Sequence, residues 1–417
     1  MPPSKLKAQV MTSIGYLKCK PNFYSIDKVV AQVLLPHGGI DCFATNGNDD
    51  GVSVDNKHGF LNISITPIEC SVVCHSSWAR NVFEPSIKRL PRDAASRVSI
   101  SKDAYLILSV ISGGMDAGSR VMELTSPLAM SGVPIFFITT YYSDFILVPS
   151  KDRNTVVQAL QARGFEFSED MSAFVSPTAM SHARGKSSGS DHPHHQQPPS
   201  TPPPSTVAEL QKRTFELLKK RSVTPYIQPG LSLVQCAGRD QSQFVDNIGH
   251  QSSSRGSRSH NTDGYGSGNG NGYGNGNGGE QQRKNWLDEV DTKLYTSLIS
   301  VLAMQPRFLS ITLAQEDAPS LLMDKTLLPA FGDALVGDNT DADLVPIFLD
   351  LAGLPLEATG IVSGVAGRLV SEMSMVETGV SGELSYLSTA RAGAVILSKE
   401  QSIKALEVLN PLLVKGS

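Results

Sequence analysis

The hydrophobic positions of this chain change period several times, and they do so twice in the same order. In the first half AYLILSVIS (104–112) reads as a buried strand, GGMDAGS (113–119) as a turn, and the next stretch as a helix. An apolar strand, FILV (145–148), and a capped helix follow. In the second half VPIFLDLAG (345–353) reads as the strand, LPLEATG (354–360) as the turn and IVSGVAGRLVSEM (361–373) as the helix. AVIL (394–397) and another capped helix close it. Runs of four or more apolar residues bounded by turn signals suit strands covered on both faces. Earlier in each half stand a helix candidate and two strands. These are YSIDKVVAQVLL (24–35) before IDCFAT (40–45) and VSVD (52–55), and LYTSLISVLAM (294–304) before FLSITLA (308–314) and SLLMD (320–324).

Local signals sharpen the ends. Ser398 with Gln401 and Thr206 with Glu209 have capping-box spacing, and Gly164 follows the helix that carries Val156, Val157 and Leu160. Ile403, Leu406 and Leu409 are expected on the inner face of the last helix. TVAELQKRTFELLKKR (206–221) reads as a short helix, docked or transient, with Lys219, Lys220 and Arg221 in its last turn. YIQPGLSLVQCAG (226–238) reads as a strand. In NWLDEVDTKLYTSLISVLAM (285–304) Leu287, Val290, Leu294, Leu298 and Val301 share a helical face, with Asn285 as N-cap.

The order strand–helix–strand–strand–helix–strand, repeated, is the ferredoxin-like arrangement. The expected fold class is α+β: tandem ferredoxin-like units in two pseudo-repeated halves, with long disordered insertions. The expected division is a first unit at 1–99, a second at 100–168, a disordered linker with a short helix at 169–224, a third unit at 225–335 and a fourth at 336–417. A glycine- and asparagine-rich insert at 240–284 interrupts the third unit.

The length of 417 residues suits several such units. The 40 acids against 36 bases give a net charge of −4, which excludes a broad nucleic-acid surface. Five scattered cysteines (Cys19, Cys42, Cys70, Cys74 and Cys236) do not form a secreted disulfide framework. No apolar run reaches the ~18 residues that a membrane span needs, and no signal peptide is visible, so a cytoplasmic location is expected.

Candidate chemistry is sparse. ECSVVCH (69–75) offers Cys70, Cys74 and His75 but no second pair of metal ligands, and a half-buried strand is the plainer reading. His192, His194 and His195 lie in a proline-rich tract. GGMDAGS lacks the lysine of a phosphate loop, although backbone N–H groups at such a strand-to-helix turn suit a carboxylate. No nucleophile elbow or triad is visible, and paired acids such as Glu316 with Asp317 and Asp341 with Asp343 need no more than solvation. A binding protein without cofactor or metal is expected rather than an enzyme.

TTYYSDFILV (139–148), with the preceding PLAMSGVPIFFI (127–138), resembles the second ACT unit of the CASTOR family, cytosolic arginine sensors upstream of the TOR kinase complex. GIVSGVAGRLV (360–370) and LSTARAGAVIL (387–397) resemble that family's second half. The resemblance covers about 100–168 and 286–412. It implies four ACT units and an amino-acid pocket between the second and the fourth. The residues implied at the ligand are Pro134 and Ile135 on one strand, Glu357, Thr359, Gly360 and Ile361 at the turn, and Thr389 on the last inner strand. It also implies a GATOR-type protein partner at Tyr141, Tyr142, Ser143 and Asp144.

The departures shape the expectation. The family's guanidinium-binding aspartate falls on Gly393, its aromatic neighbour on Ala390, a turn glutamate on Ala358 and a strand serine on Pro134. A buried guanidinium without a carboxylate is disfavoured by several kcal/mol. A small or apolar amino acid, or no ligand, is therefore expected in place of arginine. Three readings follow: an amino-acid sensor coupled to TOR signalling, a ligand-free protein-interaction scaffold, and a regulatory module like that of aspartate kinase acting in trans. A homodimer is compatible with each, and neither nucleic acid nor membrane is expected as a partner.

Overall fold

The structure is a computed structural model that describes residues 7–19, 60–111, 117–167, 204–239, 292–314, 317–337, 343–374 and 384–414. Several expectations lie outside the described residues. They are the helix at 24–35, the strands at 40–45 and 52–55, all of 169–203, the 240–284 insert, the first part of the 113–119 turn and the cap at Asn285 with Leu287 and Val290.

The described residues form a mixed helix-and-sheet fold of ACT-like ferredoxin units. The strands are β1 (Lys7–Cys19), β2 (Phe60–Ile65), β3 (Cys70–His75), β4 (Val98–Ile100), β5 (Tyr105–Ile111), β6 (Phe136–Thr139), β7 (Asp144–Pro149) and β8 (Glu166–Phe167). The later strands are β9 (Pro225–Ile227), β10 (Leu233–Gly238), β11 (Leu309–Ala314), β12 (Ser320–Asp324), β13 (Leu335–Val336), β14 (Leu344–Asp350), β15 (Ser385–Ser388) and β16 (Ala392–Ser398). The longer helices are α1 (Ala117–Met130), α2 (Arg153–Gln161), α3 (Val207–Lys220), α4 (Thr292–Ala303), α5 (Ile361–Ser374) and α6 (Lys399–Leu413). Short helical turns fill 76–95.

The strands make one sheet in the order β13-β10-β12-β11-β2-β3-β1-β5-β7-β6-β15-β16-β14-β9, and it curls until Leu233 of β10 meets Leu344 of β14. Strand β1 pairs with different strands along its length. Its first part, from Lys7, pairs with β5 on one edge and with β8 on the other, while its last part pairs with β3 and β4.

Strand alternation explains the apolar runs. Phe145 and Leu147 of β7 face a core enclosed by the curled sheet, with Ile107, Phe348, Ala394 and Ile396. Ile146 and Val148 face outward into a second core under the helices, with Val121, Val365 and Val395. Both faces of FILV and AVIL are therefore covered, which a period of two alone cannot signal. A third core lies under α4 and joins Leu61, Val72, Leu298 and Ile311. Between β2 and β11 the seam is polar: Asn62 donates to Ser310 Oγ at 3.2 Å and to Thr312 Oγ1 at 3.0 Å.

Two local expectations change. The segment at 226–238 is two strands, broken at Gly230 with φ +69°. Strand β9 pairs with β14, through Ile227 with Ile347 and Tyr226 with Phe348. On α6 the buried face is Ser402, Ala405, Leu409 and Leu413, while Ile403 is 52% exposed. Leu409 is buried and Leu406 packs half-buried against the core as expected, while Ser402, which donates to the Val345 carbonyl at 2.7 Å, takes the inward place expected of Ile403. Helix α3 is docked. Its Thr206 cap accepts from the Glu209 amide, and Leu210, Thr214, Phe215 and Leu218 are buried.

Candidate functional site

Strands β6 and β15 meet edge to edge at one residue pair, Ile138 with Leu387. Beyond that pair, side chains take over the ladder. Thr139 Oγ1 accepts from the Tyr386 amide at 3.0 Å, and Ser388 Oγ accepts from the Phe137 amide at 2.5 Å. Helices α1 and α5 cover this seam and touch through Ser126 Oγ and Ser363 Oγ at 2.9 Å.

A cleft of about 50 Å³ opens beside the seam. Ile135 and Phe136 line one side, the turn from Leu354 to Gly360 forms the rim, and Ile361, Tyr386 and Thr389 complete it. A single water needs about 10–15 Å³ of such space, so the cleft suits a small solute. No lining residue is charged. Gly360 has φ +80°, a conformation that glycine adopts without strain, and a Cβ there would fall 2.7 Å from Leu210 of α3. Thr214 of α3 donates to the Gly360 carbonyl at 3.2 Å. Helix α3 therefore clamps the turn from outside. At Ile361 the turn runs into α5, whose first amides suit a carboxylate.

Of the residues expected at a ligand, Ile135, Gly360, Ile361 and Thr389 line the cleft. Pro134, Glu357 and Thr359 do not. Glu357 is exposed, because the turn aims it into solvent. Thr389 Oγ1 is bonded to Glu69, a fully buried acid on the β2–β3 turn that also accepts from the Arg391 amide at 2.6 Å. The cleft wall is thus tied to the β2–β3 turn.

Tyr386 escaped notice in the sequence. It is fully buried, and its hydroxyl has no hydrogen-bond partner among the described residues. A lone aromatic in a strand reads as core. The informative signal was Gly393, which the register brings to the same face of the sheet, opposite Ser388.

The residues expected at a protein partner divide. Tyr141 and Tyr142 are 39% and 51% exposed and stack edge to face with centroids 4.8 Å apart. The Tyr141 amide donates to Ser320 Oγ at 2.8 Å. Ser143 and Asp144 are buried, at 6% and 1% exposure. Asp144 is ion-paired with Arg120 of α1. Burial pushes the Asp144 carboxyl up from its ordinary range, opposed by the Arg120 guanidinium and by a hydrogen bond from Thr139. This acid therefore faces inward and satisfies a cation of its own chain, so it cannot also meet a partner at the surface.

At Cys70–His75 the chain is strand β3. The Cys74 thiol is buried and burial pushes it up to about 12, which disfavours the thiolate that a metal needs.

Residues 100–162 match the family model described as an ACT domain. This ACT domain holds β5, α1, β6, β7 and α2, and it contributes Ile135 and Phe136 to the cleft. Among solved structures the chain is similar to a protein from Agrobacterium tumefaciens, at 21% identity and a TM-score of 0.24, over 39% of this chain and 92% of that one. It is similar to aspartate kinase from Synechocystis, at 9% identity and a TM-score of 0.30, over 98% of this chain and 56% of that one. It is also similar to the regulatory subunit of aspartate kinase from Thermus thermophilus, at 12% identity and a TM-score of 0.27, over 38% of this chain and 96% of that one. Among the described residues no helix is long and apolar enough to cross a membrane.

Proposed function

We propose that this chain is a cytoplasmic ACT-repeat regulatory protein that binds a small neutral amino acid and couples its availability to TOR-linked signalling through a protein partner. The division into four units at 1–99, 100–168, 225–335 and 336–417 is part of that proposal. The observation that carries it is the meeting of Ile135, Gly360, Ile361 and Thr389, from three distant segments, in one uncharged cleft beside the ACT domain at 100–162. The ligand's carboxylate would lie at the first turn of α5, where backbone N–H groups lack intrahelical partners. Its side chain would enter between Phe136, Leu351 and Tyr386. Arginine is a poor fit, since the lining holds no acid and an unpaired buried guanidinium is strongly disfavoured.

Regulation would follow from differential binding. A ligand that prefers one arrangement of the seam and of the Glu69–Thr389 tie shifts the chain toward it. The partner, of GATOR type by resemblance, would meet the exposed Tyr141 and Tyr142. A thermal-shift screen of the full chain against the twenty amino acids tests the reading. The expected result is stabilisation by one or a few neutral amino acids, since a ligand at 100 times its Kd adds about 2.7 kcal/mol. Melting unmoved by all twenty, or raised by arginine alone, would overturn it. The exposed tyrosine pair favours a second reading, a scaffold that recognises its partner without a ligand. In that case Tyr141→Ala with Tyr142→Ala abolishes partner capture, whatever amino acid is present. Association in trans with an aspartate kinase, and self-association as a homodimer, are further partner choices that co-purification and sedimentation would separate.

A further inference from the structure

We infer that Cys19 and Cys70 form a reversible disulfide between strands β1 and β3, a redox-controlled cross-link that braces the β2–β3 turn. The strand register carries the inference. Cys19 ends β1 and Cys70 begins β3, and the antiparallel pairing sets the two directly opposite each other. Among the described residues no other cysteine stands opposite a cysteine. Cys74 is opposite Gly15 and Leu61, and Cys236 is opposite Leu321.

Opposed positions of antiparallel strands share one face of the sheet, with Cα atoms about 4.5–5.5 Å apart. A disulfide spans about 4.4–6.8 Å between Cα atoms. The bond therefore forms within the existing register. Access favours the same pair. Cys70 is half-buried, whereas Cys74 and Cys236 are buried. Burial also holds the Cys74 thiol up at about 12, so it supplies little of the thiolate that exchange requires.

The oxidant is a small disulfide of the glutathione class. The Cys70 thiolate attacks one of its sulfurs, forms a mixed disulfide and releases the first small thiol. The Cys19 thiolate then attacks the Cys70 sulfur, closes the S–S bond and releases the second. The two cysteines give up two protons and two electrons, and the oxidant takes them up as two thiols. A surplus of the small thiol reverses both steps. In a reducing compartment such bonds are transient and report the redox poise.

The position gives the bond a consequence. Cys70 directly follows Glu69, which accepts from the Arg391 amide at 2.6 Å and from the Thr389 hydroxyl. The turn between β2 and β3 is closed by the Thr66 amide on the Glu69 carbonyl at 2.9 Å and by the Glu69 amide on Thr66 Oγ1 at 3.1 Å. A cross-link at Cys70 anchors one end of this turn to β1. The tie from Glu69 to the β15–β16 corner then opens less often, because local opening must work against a covalent bond.

The test is peptide mapping by mass spectrometry of the full chain, equilibrated with glutathione disulfide and glutathione and quenched by alkylation. The expected result is a Cys19–Cys70 link as the main intramolecular bond, lost with dithiothreitol, lost in Cys19→Ser and in Cys70→Ser, and kept in Cys74→Ser. A bond through Cys42 in place of either residue, glutathione adducts alone, or alkylated thiols throughout overturn the inference. Mapping of the natural protein decides this even where a variant folds poorly. The brace has its own readout, hydrogen exchange at the Arg391 amide, which oxidation is expected to slow at least ~3-fold. The bond also closes the loop 19–70 in the unfolded chain, so a melting temperature higher by about 3 °C or more is expected on oxidation. With the bond in place, unchanged exchange at Arg391 or a melting temperature that stays or falls overturns the brace and leaves the cross-link standing.

Discussion

Thr139 and Ser388 perform the same act on opposite sides of one residue pair. Each hydroxyl accepts a hydrogen bond from an amide of the facing strand, Tyr386 at 3.0 Å and Phe137 at 2.5 Å. Between them Ile138 pairs with Leu387. The relation has the form of a local two-fold axis within a single chain, and the cleft opens beside it.

Replacing either hydroxyl strips a buried amide of its acceptor. Thr139→Val and Ser388→Ala are each expected to cost about 1–3 kcal/mol in urea denaturation. Their sum should differ from the double variant, because both act on one strand pair.

Arg120 and Asp144 are expected to be non-exchangeable singly. Arg120→Met leaves a carboxylate at 1% exposure without its counter-ion, and a loss of about 3–5 kcal/mol is expected. Adding Asp144→Leu should recover most of it, since the burial of the remaining charge is then relieved. Denaturant midpoints for the single and double variants check this.

Glu69 ties the cleft wall to the β2–β3 turn through Thr389 and the Arg391 amide. Glu69→Ala should lower stability by about 1–3 kcal/mol. It should also weaken whichever amino acid stabilises the natural protein, measured by titration. Loss of stability with unchanged affinity would confine Glu69 to a structural role.

Gly360→Ala places a Cβ at φ +80° and 2.7 Å from Leu210 Cδ1. A left-handed non-glycine residue costs about 1–2 kcal/mol before any clash, so a larger loss is expected in thermal melting. Unchanged melting would mean that α3 does not press on the turn in solution.

Acid should loosen the same clamp. The Ser205 amide and hydroxyl and Arg213 hold the Glu209 carboxyl down at about 2, below its ordinary value near 4.5. Its contribution is therefore complete above about pH 4.5 and is lost as the pH falls toward 2. Glu209→Gln should remove that part of the acid sensitivity of melting between those values, with the two proteins converging at the low end.

Much of the site was legible before any coordinates. The turn at 354–360, the helix at 361–373 and the strand at 394–397 were visible because caps, glycine and apolar runs are local signals. Glycine at 360 marked a special backbone position, and Thr389 and Ile135 were named by likeness to a family pattern. Tyr386 was not, because a buried tyrosine in a strand has the same one-dimensional appearance whether its hydroxyl is satisfied or not. Only the pairing of Ser388 with Gly393 brings the phenol and the glycine together. Asp144 shows the opposite case. The family resemblance put it at a partner-facing corner with Tyr141 and Tyr142, but a residue at the first position of a strand turns inward or outward according to register, and here Arg120 waits inside.

The sequence by itself determined most of the local elements within 100–164 and 292–413 and the absence of a carboxylate at position 393, while β1, β2 and the break inside 226–238 were not read from it. Those features depend on interactions within a few residues of each other, and the chain carries them wherever it folds. The tertiary structure alone decided that β1 pairs with both β3 and β5, that β9 joins β14, that α3 clamps Gly360, and which hydroxyls are already engaged at the cleft. Each of these joins segments distant along the chain, and strand pairing and hydroxyl partners are set by which edges meet in space.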